Sequence, residues 1–217
     1  MTWTLYIGNK AYSSWSLRPW LLLRHFDIPF MEKVIPLDQP TTSIDIQQHS
    51  PTGKVPALAA DGIVVWETLA IAEFIADSYP EKTIWPVDPR ARALARSLSS
   101  EMHAGFLRLR QVCPTNFRRE RRAIAIPDDV RADIDRIEAA WAAARQQWGQ
   151  GGPFLFGDFT AADAMFAPVV NRFWTYDVQV RPETRAYMEA IMALPAWKAW
   201  IEGARAEPWF IEKYEAI

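Results

Sequence analysis

The stretch Pro80-Glu81-Lys82-Thr83-Ile84-Trp85-Pro86-Val87-Asp88-Pro89 constrains this chain most, because its three prolines cannot lie inside one helix. The hydrophobic spacing differs on its two sides. Before it, short strand-like runs alternate with helix-like ones; beyond it, almost every stretch repeats with helical period. The pattern predicts two domains, 1–80 and 90–217, joined by a linker over 81–89.

In the first half, Trp3–Ile7 reads as a strand, Leu17–Phe26 as a helix, Phe30–Pro36 as a second strand and Ser43–His49 as a short helix. Ala57–Ala60 and Ile63–Trp66 flank Asp61-Gly62, a hairpin signal, and Thr68–Tyr79 carries an amphipathic helical stripe. The order is βαβαββα, with parallel pairing expected in the opening βαβ unit and an antiparallel hairpin at its close. The second half predicts helices over Pro89–Val112, Asp128–Trp148, Thr160–Tyr176, Pro182–Ala193 and Ala196–Ala204. The expected fold class is therefore α/β followed by an all-helical bundle.

Composition narrows the partners. Lys and Arg total 24 against 26 Asp and Glu, so a formal net charge of −2 gives no general argument for nucleic acid or an anionic membrane. The basic run Arg118-Arg119-Glu120-Arg121-Arg122 reads as a solvated loop or as salt bridges across a dimer. A single cysteine, Cys113, excludes an internal disulfide and reads as a packed thiol. With only His25, His49 and His103 beside it, no metal site is expected. Met1–Ile7 lacks the basic and apolar regions of a signal peptide, and no apolar run approaches the roughly 18–20 residues that span a bilayer, so a cytoplasmic location is expected.

Three features could carry chemistry. Val55-Pro56 enters a strand ahead of the hairpin, where a cis bond would turn the Val55 amide and carbonyl outward for an extended peptide; an ordinary trans proline at an edge strand is the alternative the residues alone favour. Trp66-Glu67-Thr68 precedes a helix, whose free N–H groups suit a ligand carboxylate while Glu67 suits an ammonium; simple helix capping explains the same residues. Ser13-Ser14-Trp15-Ser16-Leu17-Arg18-Pro19 places hydroxyls before a helix predicted to start with Ser16 as N-cap, since Pro19 suits a first turn. A hydroxyl there could donate to a thiolate, or merely cap.

Together these features resemble a known family. Gly53-Lys54-Val55-Pro56-Ala57-Leu58 followed by Glu67-Thr68-x-Ala70-Ile71 resembles the glutathione-site motif of cytosolic glutathione transferases. Gly157-Asp158-Phe159-Thr160-Ala161-Ala162-Asp163 resembles that family's capping box, in matching order and spacing. The resemblance covers essentially the whole chain. It implies a thioredoxin-like first domain, with Pro56 cis, the Val55 backbone pairing with the cysteinyl unit of glutathione, and Glu67 and Thr68 holding the γ-glutamyl end. Thr68 stands where serine is more usual. Lys54 could reach the glycine carboxylate or remain an idle loop lysine. Thr160 and Asp163 read as structural.

Ser13-Ser14-Trp15-Ser16-x-Arg18 is most similar to the zeta class, which has cysteine where this chain has Trp15. By that match Ser13 is the residue credited with activating the thiol, and Ser14 its neighbour. The class includes maleylacetoacetate isomerases, whose cysteine contributes to isomerisation; Trp15 argues against that activity here. The resemblance implies an enzyme, typically a homodimer, that activates glutathione as thiolate and adds it to a small electrophile. The alternatives are a glutathione-dependent cis–trans isomerase and a non-catalytic ligand carrier. The electrophile site is expected between the Ser13–Trp15 loop and the first long helix of the second domain. There His103, Phe106 and Arg110, at i, i+3 and i+7, would share one face, with Arg110 gripping an acidic group. A solvated helix face is the competing reading.

Overall fold

The computed structural model describes residues 3–216. Met1 and Thr2, which open the stretch read as lacking a leader, and Ile217, the last residue of the second predicted domain, lie outside the described residues.

The first half forms β1 (Trp3–Ile7), α1 (Ser14–His25), β2 (Phe30–Val34), α2 (Thr42–Gln47), β3 (Ala57–Ala60), β4 (Ile63–Trp66) and α3 (Thr68–Ser78). The sheet order is β2-β1-β3-β4, with β1 parallel to β2 and the other pairs antiparallel. This mixed sheet is thioredoxin-like. Asp61 and Gly62 both take positive φ, 51° and 88°, the requirement of a two-residue hairpin whose twist matches its strands. β1 lies inside the sheet, and its Leu5 and Ile7 are fully buried.

The second half is helical: α4 (Pro89–Ala104), α5 (Leu107–Val112), α6 (Asp128–Trp148), α7 (Ala161–Thr175), α8 (Pro182–Ala193), α9 (Pro195–Ala206) and α10 (Glu212–Glu215). Residues 80–88 contain neither helix nor strand, and Asp88 caps α4 by accepting from the Arg90 and Ala91 amides. None of the described helices is long and apolar enough to cross a membrane. α7 is buried from Ala161 through Phe173 and packs against α1, α4 and α8, so it joins the helical bundle to the sheet domain.

Three local expectations are corrected. α1 starts one turn earlier than its apolar stripe indicated, with Ser13 as N-cap accepting from the Ser16 amide at 3.3 Å. Pro19 therefore sits in the second turn, where it deletes the bond to the Trp15 carbonyl. The predicted helix Pro89–Val112 is two helices. At the break Gly105 is extended, and Phe106 takes φ 59° as the N-cap of α5. A Cβ on Gly105 would lie 2.9 Å from the Glu101 carbonyl, so glycine accommodates this exit. Finally, the basic run is not simply solvated. Arg118 donates to the Ala204 and Glu207 carbonyls, and Arg121 pairs with Asp177.

The capping residues behave structurally. The fully buried Asp163 carboxylate accepts from the Thr160 amide (2.8 Å), the Thr160 hydroxyl (3.0 Å), the Leu155 amide (3.0 Å) and the Tyr187 hydroxyl (3.1 Å). Burial pushes its pKa up to about 6, against the pull of those four donors. Removing the acceptor orphans buried donors, each costing about 1–3 kcal/mol. Asp163→Ala should therefore lose at least about 3 kcal/mol in urea denaturation. Ligand affinity of the folded fraction, measured by titration calorimetry, should stay within about twofold, because Asp163 lines neither cleft described below.

Candidate functional site

Two clefts meet at the start of α1. The first, of about 240 Å³, lies between the β3 entry and the head of α3. Thr52, Lys54, Val55 and Pro56 form one side and Trp66, Glu67 and Thr68 the other, with Trp15 and His103 across the mouth. The Val55-Pro56 bond is cis. Glu67 rather than Thr68 occupies the N-cap position of α3, at φ 66° and ψ 130°, a strained conformation for a residue bearing a side chain. That geometry leaves Thr68 in the first helical position. Its hydroxyl is buried and has no hydrogen-bond partner among the described residues. An orphaned hydroxyl beside the free amides of a helix N-terminus is suited to a ligand carboxylate.

His103 closes this cleft from α4. Its Nε2 stands 3.5 Å from a Glu67 carboxylate oxygen, and its ring meets the Trp15 indole edge-on with centroids 4.9 Å apart. Burial lowers the His103 pKa; Glu67 opposes the shift, while Arg18 and Arg110 reinforce it.

The second cleft, of about 320 Å³, shares Trp15 and Val55 with the first. Its floor carries Ser13 and Ser14, and its walls include Tyr12, Arg110, Thr115, Arg172 and Tyr214. The two serines differ. Ser13 is committed locally: its hydroxyl donates to Ser16 Oγ at 2.8 Å while accepting the Ser16 amide. Ser14, first residue of α1, shows no side-chain hydrogen bond among the described residues. Its hydroxyl is thus free at a positive helix end.

Around this cleft three guanidinium groups converge without a carboxylate. Arg18, on α1, is buried behind Trp15, 4.1 Å from the ring centroid; its Nε donates to the Met165 carbonyl, and both terminal nitrogens lack partners. Arg172, on α7, is equally buried, with an unpaired Nε. Arg110 is half-buried, with its guanidinium 4.9 Å from the centroid of the same Trp15 ring. No ion pair forms to any of the three among the described residues. Burial lowers all three pKa values, Arg172 to about 10, and mutual repulsion lowers Arg18 and Arg172 further. Unpaired buried cations are costly unless something neutralises them, so the wall is built for an anion.

The expected site residues are therefore brought together with one exception. Lys54, Val55, Pro56, Glu67, Thr68, Trp15 and His103 line the first cleft; Ser13, Ser14, Trp15 and Arg110 line the second. Phe106 lines neither, because the helix break turns it into the core at 9% exposure. The common face of His103, Phe106 and Arg110 is lost with the continuous helix. Arg110 instead reaches back to accept the role of a cap, donating to the Met102, Gly105 and His103 carbonyls at the end of α4. Arg172 was not among the expected residues; its signal was its standing as the one cation of the largely apolar Ala161–Thr175. Tyr12, Thr115 and Tyr214 carried no such signal.

Comparison with known proteins agrees with the fold. Residues 12–78 match the family model of the glutathione S-transferase N-terminal domain, and residues 127–203 that of the C-terminal domain. A Caenorhabditis elegans protein described as a probable maleylacetoacetate isomerase is 26% identical over 199 residues, 90% of this chain and 91% of its own. The maleylacetoacetate isomerase of Rattus norvegicus is 30% identical over 107 residues, 47% of this chain and 48% of its own. A glutathione transferase homologue from Burkholderia GL BGR1, solved with bound glutathione, aligns with a TM-score of 0.70 at 25% identity, over 95% of this chain and 100% of its own.

Because the Thr68 hydroxyl has no hydrogen-bond partner among the described residues, Thr68→Val should leave stability within about 1 kcal/mol in urea denaturation. A larger loss would mean that the hydroxyl serves the fold rather than the cleft.

Proposed function

The chain belongs to the glutathione S-transferase family of glutathione-dependent enzymes, and on that premise we propose that it activates the glutathione thiol and adds it to a small, carboxylate-bearing electrophile. The observation that carries this reading is the junction of the clefts. A serine hydroxyl at a helix N-terminus lines the cleft that holds Arg110 and Arg172, neither of them in an ion pair among the described residues, beside the cleft of Val55, Glu67 and Thr68. In the first cleft, Val55 would pair with the cysteinyl unit, Glu67 with the γ-glutamyl ammonium and Thr68 with its carboxylate. Lys54, exposed at the rim, is available to the glycine carboxylate.

The sulfur then lies toward Ser13 and Ser14. Lowering a thiol pKa by two units from about 8.5 takes about 2.7 kcal/mol. A hydrogen bond to the thiolate supplies roughly 1.5–3 kcal/mol and a helix end about 0.3–1, so one hydroxyl and the α1 dipole suffice. The free hydroxyl of Ser14 supports it as donor; Ser13 could serve only by turning its proton away from Ser16. In the second cleft Arg110 and Arg172 would neutralise the electrophile's carboxylate, with Arg18 and the Trp15 indole behind them. Orientation and electrostatics are the protein's contribution; the nucleophile is the cosubstrate's sulfur. A homodimer is the assembly that the family implies.

A second reading, glutathione-dependent cis–trans isomerisation, is favoured by the same arginines, which would fit an acidic substrate that is isomerised rather than conjugated. Trp15 weighs against it, because it occupies the position of the zeta-class cysteine. Turnover of maleylacetoacetate without loss of glutathione would establish it.

The thiol pKa of bound glutathione, read from thiolate absorbance against pH, tests the mechanism. It should lie about two units below that of free glutathione and rise again in Ser14→Ala. A rise confined to Ser13→Ala would move the donor one residue back, and an unshifted wild-type thiol would leave only a carrier. Arg172→Ala and Arg110→Ala should each reduce kcat/KM for a carboxylate-bearing electrophile about ten- to a hundredfold relative to an uncharged one. Equal losses on both substrates would remove the arginines from substrate recognition.

A further inference from the structure

The turn from Asn9 to Tyr12 carries the serines, yet its outside support comes from residues distant in sequence. Tyr12 and Ser13 donate inward to the Asn9 carbonyl at 3.1 and 2.8 Å. The two remaining amides, those of Lys10 and Ala11, donate to Oε1 and Oε2 of Glu207 at 2.7 and 3.0 Å, across 197 and 196 positions of sequence. The carboxylate is thus bridged by consecutive backbone amides, one per oxygen.

Glu207 is itself fixed. Its side chain is 7% exposed, and Arg118 donates to its carbonyl at 3.1 Å and to that of Ala204 at 3.0 Å. The same turn is gripped by neighbouring groups. The Phe117 amide donates to the Ala11 carbonyl at 2.8 Å. Lys10 passes over Trp200 to Glu32 at 2.7 Å and runs close to Gly203, where a Cβ would meet its flexible side chain at 2.8 Å. Burial raises the Glu207 pKa, and the Ala11 and Lys10 amides, Arg118 and Lys10 oppose that rise.

We propose that Glu207 is a positioning residue for thiol activation: by bridging the Lys10 and Ala11 amides it sets the turn that aims the Ser13 and Ser14 hydroxyls into the second cleft. The proposal rests on the transferase reading above and adds to it a residue outside both clefts. Both oxygens of this carboxylate are used on amides of the turn that leads from β1 into α1. Its effect is concentrated on the segment immediately before the serines. The residues proposed to hold glutathione, Lys54, Val55, Glu67 and Thr68, lie outside this turn, so thiol activation and glutathione affinity should separate.

Glu207→Gln tests this, since it keeps the shape and replaces one acceptor oxygen with a donor that faces an amide. The bound thiol pKa should rise by about one unit, a tenfold loss of thiolate stabilisation. Glutathione Kd should stay within about twofold. Amide hydrogen exchange, followed by mass spectrometry, should quicken about tenfold or more in peptides covering 9–16 while β1 and α7 are unchanged. Ile191→Ala, in the distant core of α8, serves as a control for lost stability. The proposal is overturned if thiol pKa and loop exchange match wild type, or if both move no further than in Ile191→Ala variants of comparable Tm. If wild-type enzyme binds glutathione with an unshifted thiol, the transferase reading fails on its own account. Exchange in 9–16 then decides whether Glu207 holds the turn.

Discussion

Everything in this molecule depends on the burial of α1 against α7. α1 is enclosed from Ser16 to Leu23, between β1 and α3 on one side and α7 and α9 on the other. Its partner α7 is buried almost throughout. The hydrophobic effect therefore joins the sheet domain and the helical bundle through one shared helix pair rather than through two separate cores. Arg18 Nε, bonded to the Met165 carbonyl, is the polar pin in that seam. Because α1 cannot shift without opening both cores, its N-terminus is a rigid place for the Ser13 and Ser14 hydroxyls.

The electrostatics of the site follow from the same packing. Bringing α1, α5 and α7 together puts Arg18 and Arg110 against one indole and Arg172 in the same cleft, with no ion pair to any of them among the described residues. Elsewhere the chain pairs its exposed arginines readily: Arg96 with Glu73, Arg136 with Glu101 and Arg108 with Asp129. The absence of such pairing at the cleft costs stability that a bound anion would recover. Trp15 allows that arrangement by presenting a π-face to two of the cations, each contact contributing about 0.5–2 kcal/mol. A cysteine at this position would not screen them. Trp15 thus removes a thiol from the site and at the same time makes a more cationic pocket tolerable.

Local chemistry was the easily legible part. The strands Trp3–Ile7, Ala57–Ala60 and Ile63–Trp66 and the helix Asp128–Trp148 have the bounds their patterns predict, because turn residues and caps mark their ends. The glutathione-site and capping motifs were legible as motifs, being sequential. What failed was continuity. The Pro89–Val112 pattern hid a break, since Gly105 inside an apolar repeat lowers helix propensity only modestly and the decisive support, Arg110 on the α4 carbonyls, forms after folding. The basic run was similarly misread: Arg118 is satisfied by Ala204 and Glu207, which no local rule connects to it.

The sequence alone determined the order βαβαββα followed by helices, the hairpin at Asp61-Gly62 and the residues around Val55-Pro56 and Glu67-Thr68, since periodicity and turn chemistry act over a few residues. Only the tertiary structure decided which hydroxyl is free, that Phe106 leaves the cleft, that Arg110 and Arg172 line one cleft with Arg18 behind Trp15, and that Glu207 reaches the turn before the serines. Each of those outcomes is a contact between residues far apart in the chain. It is set by how whole helices pack, and no spacing along the sequence encodes it.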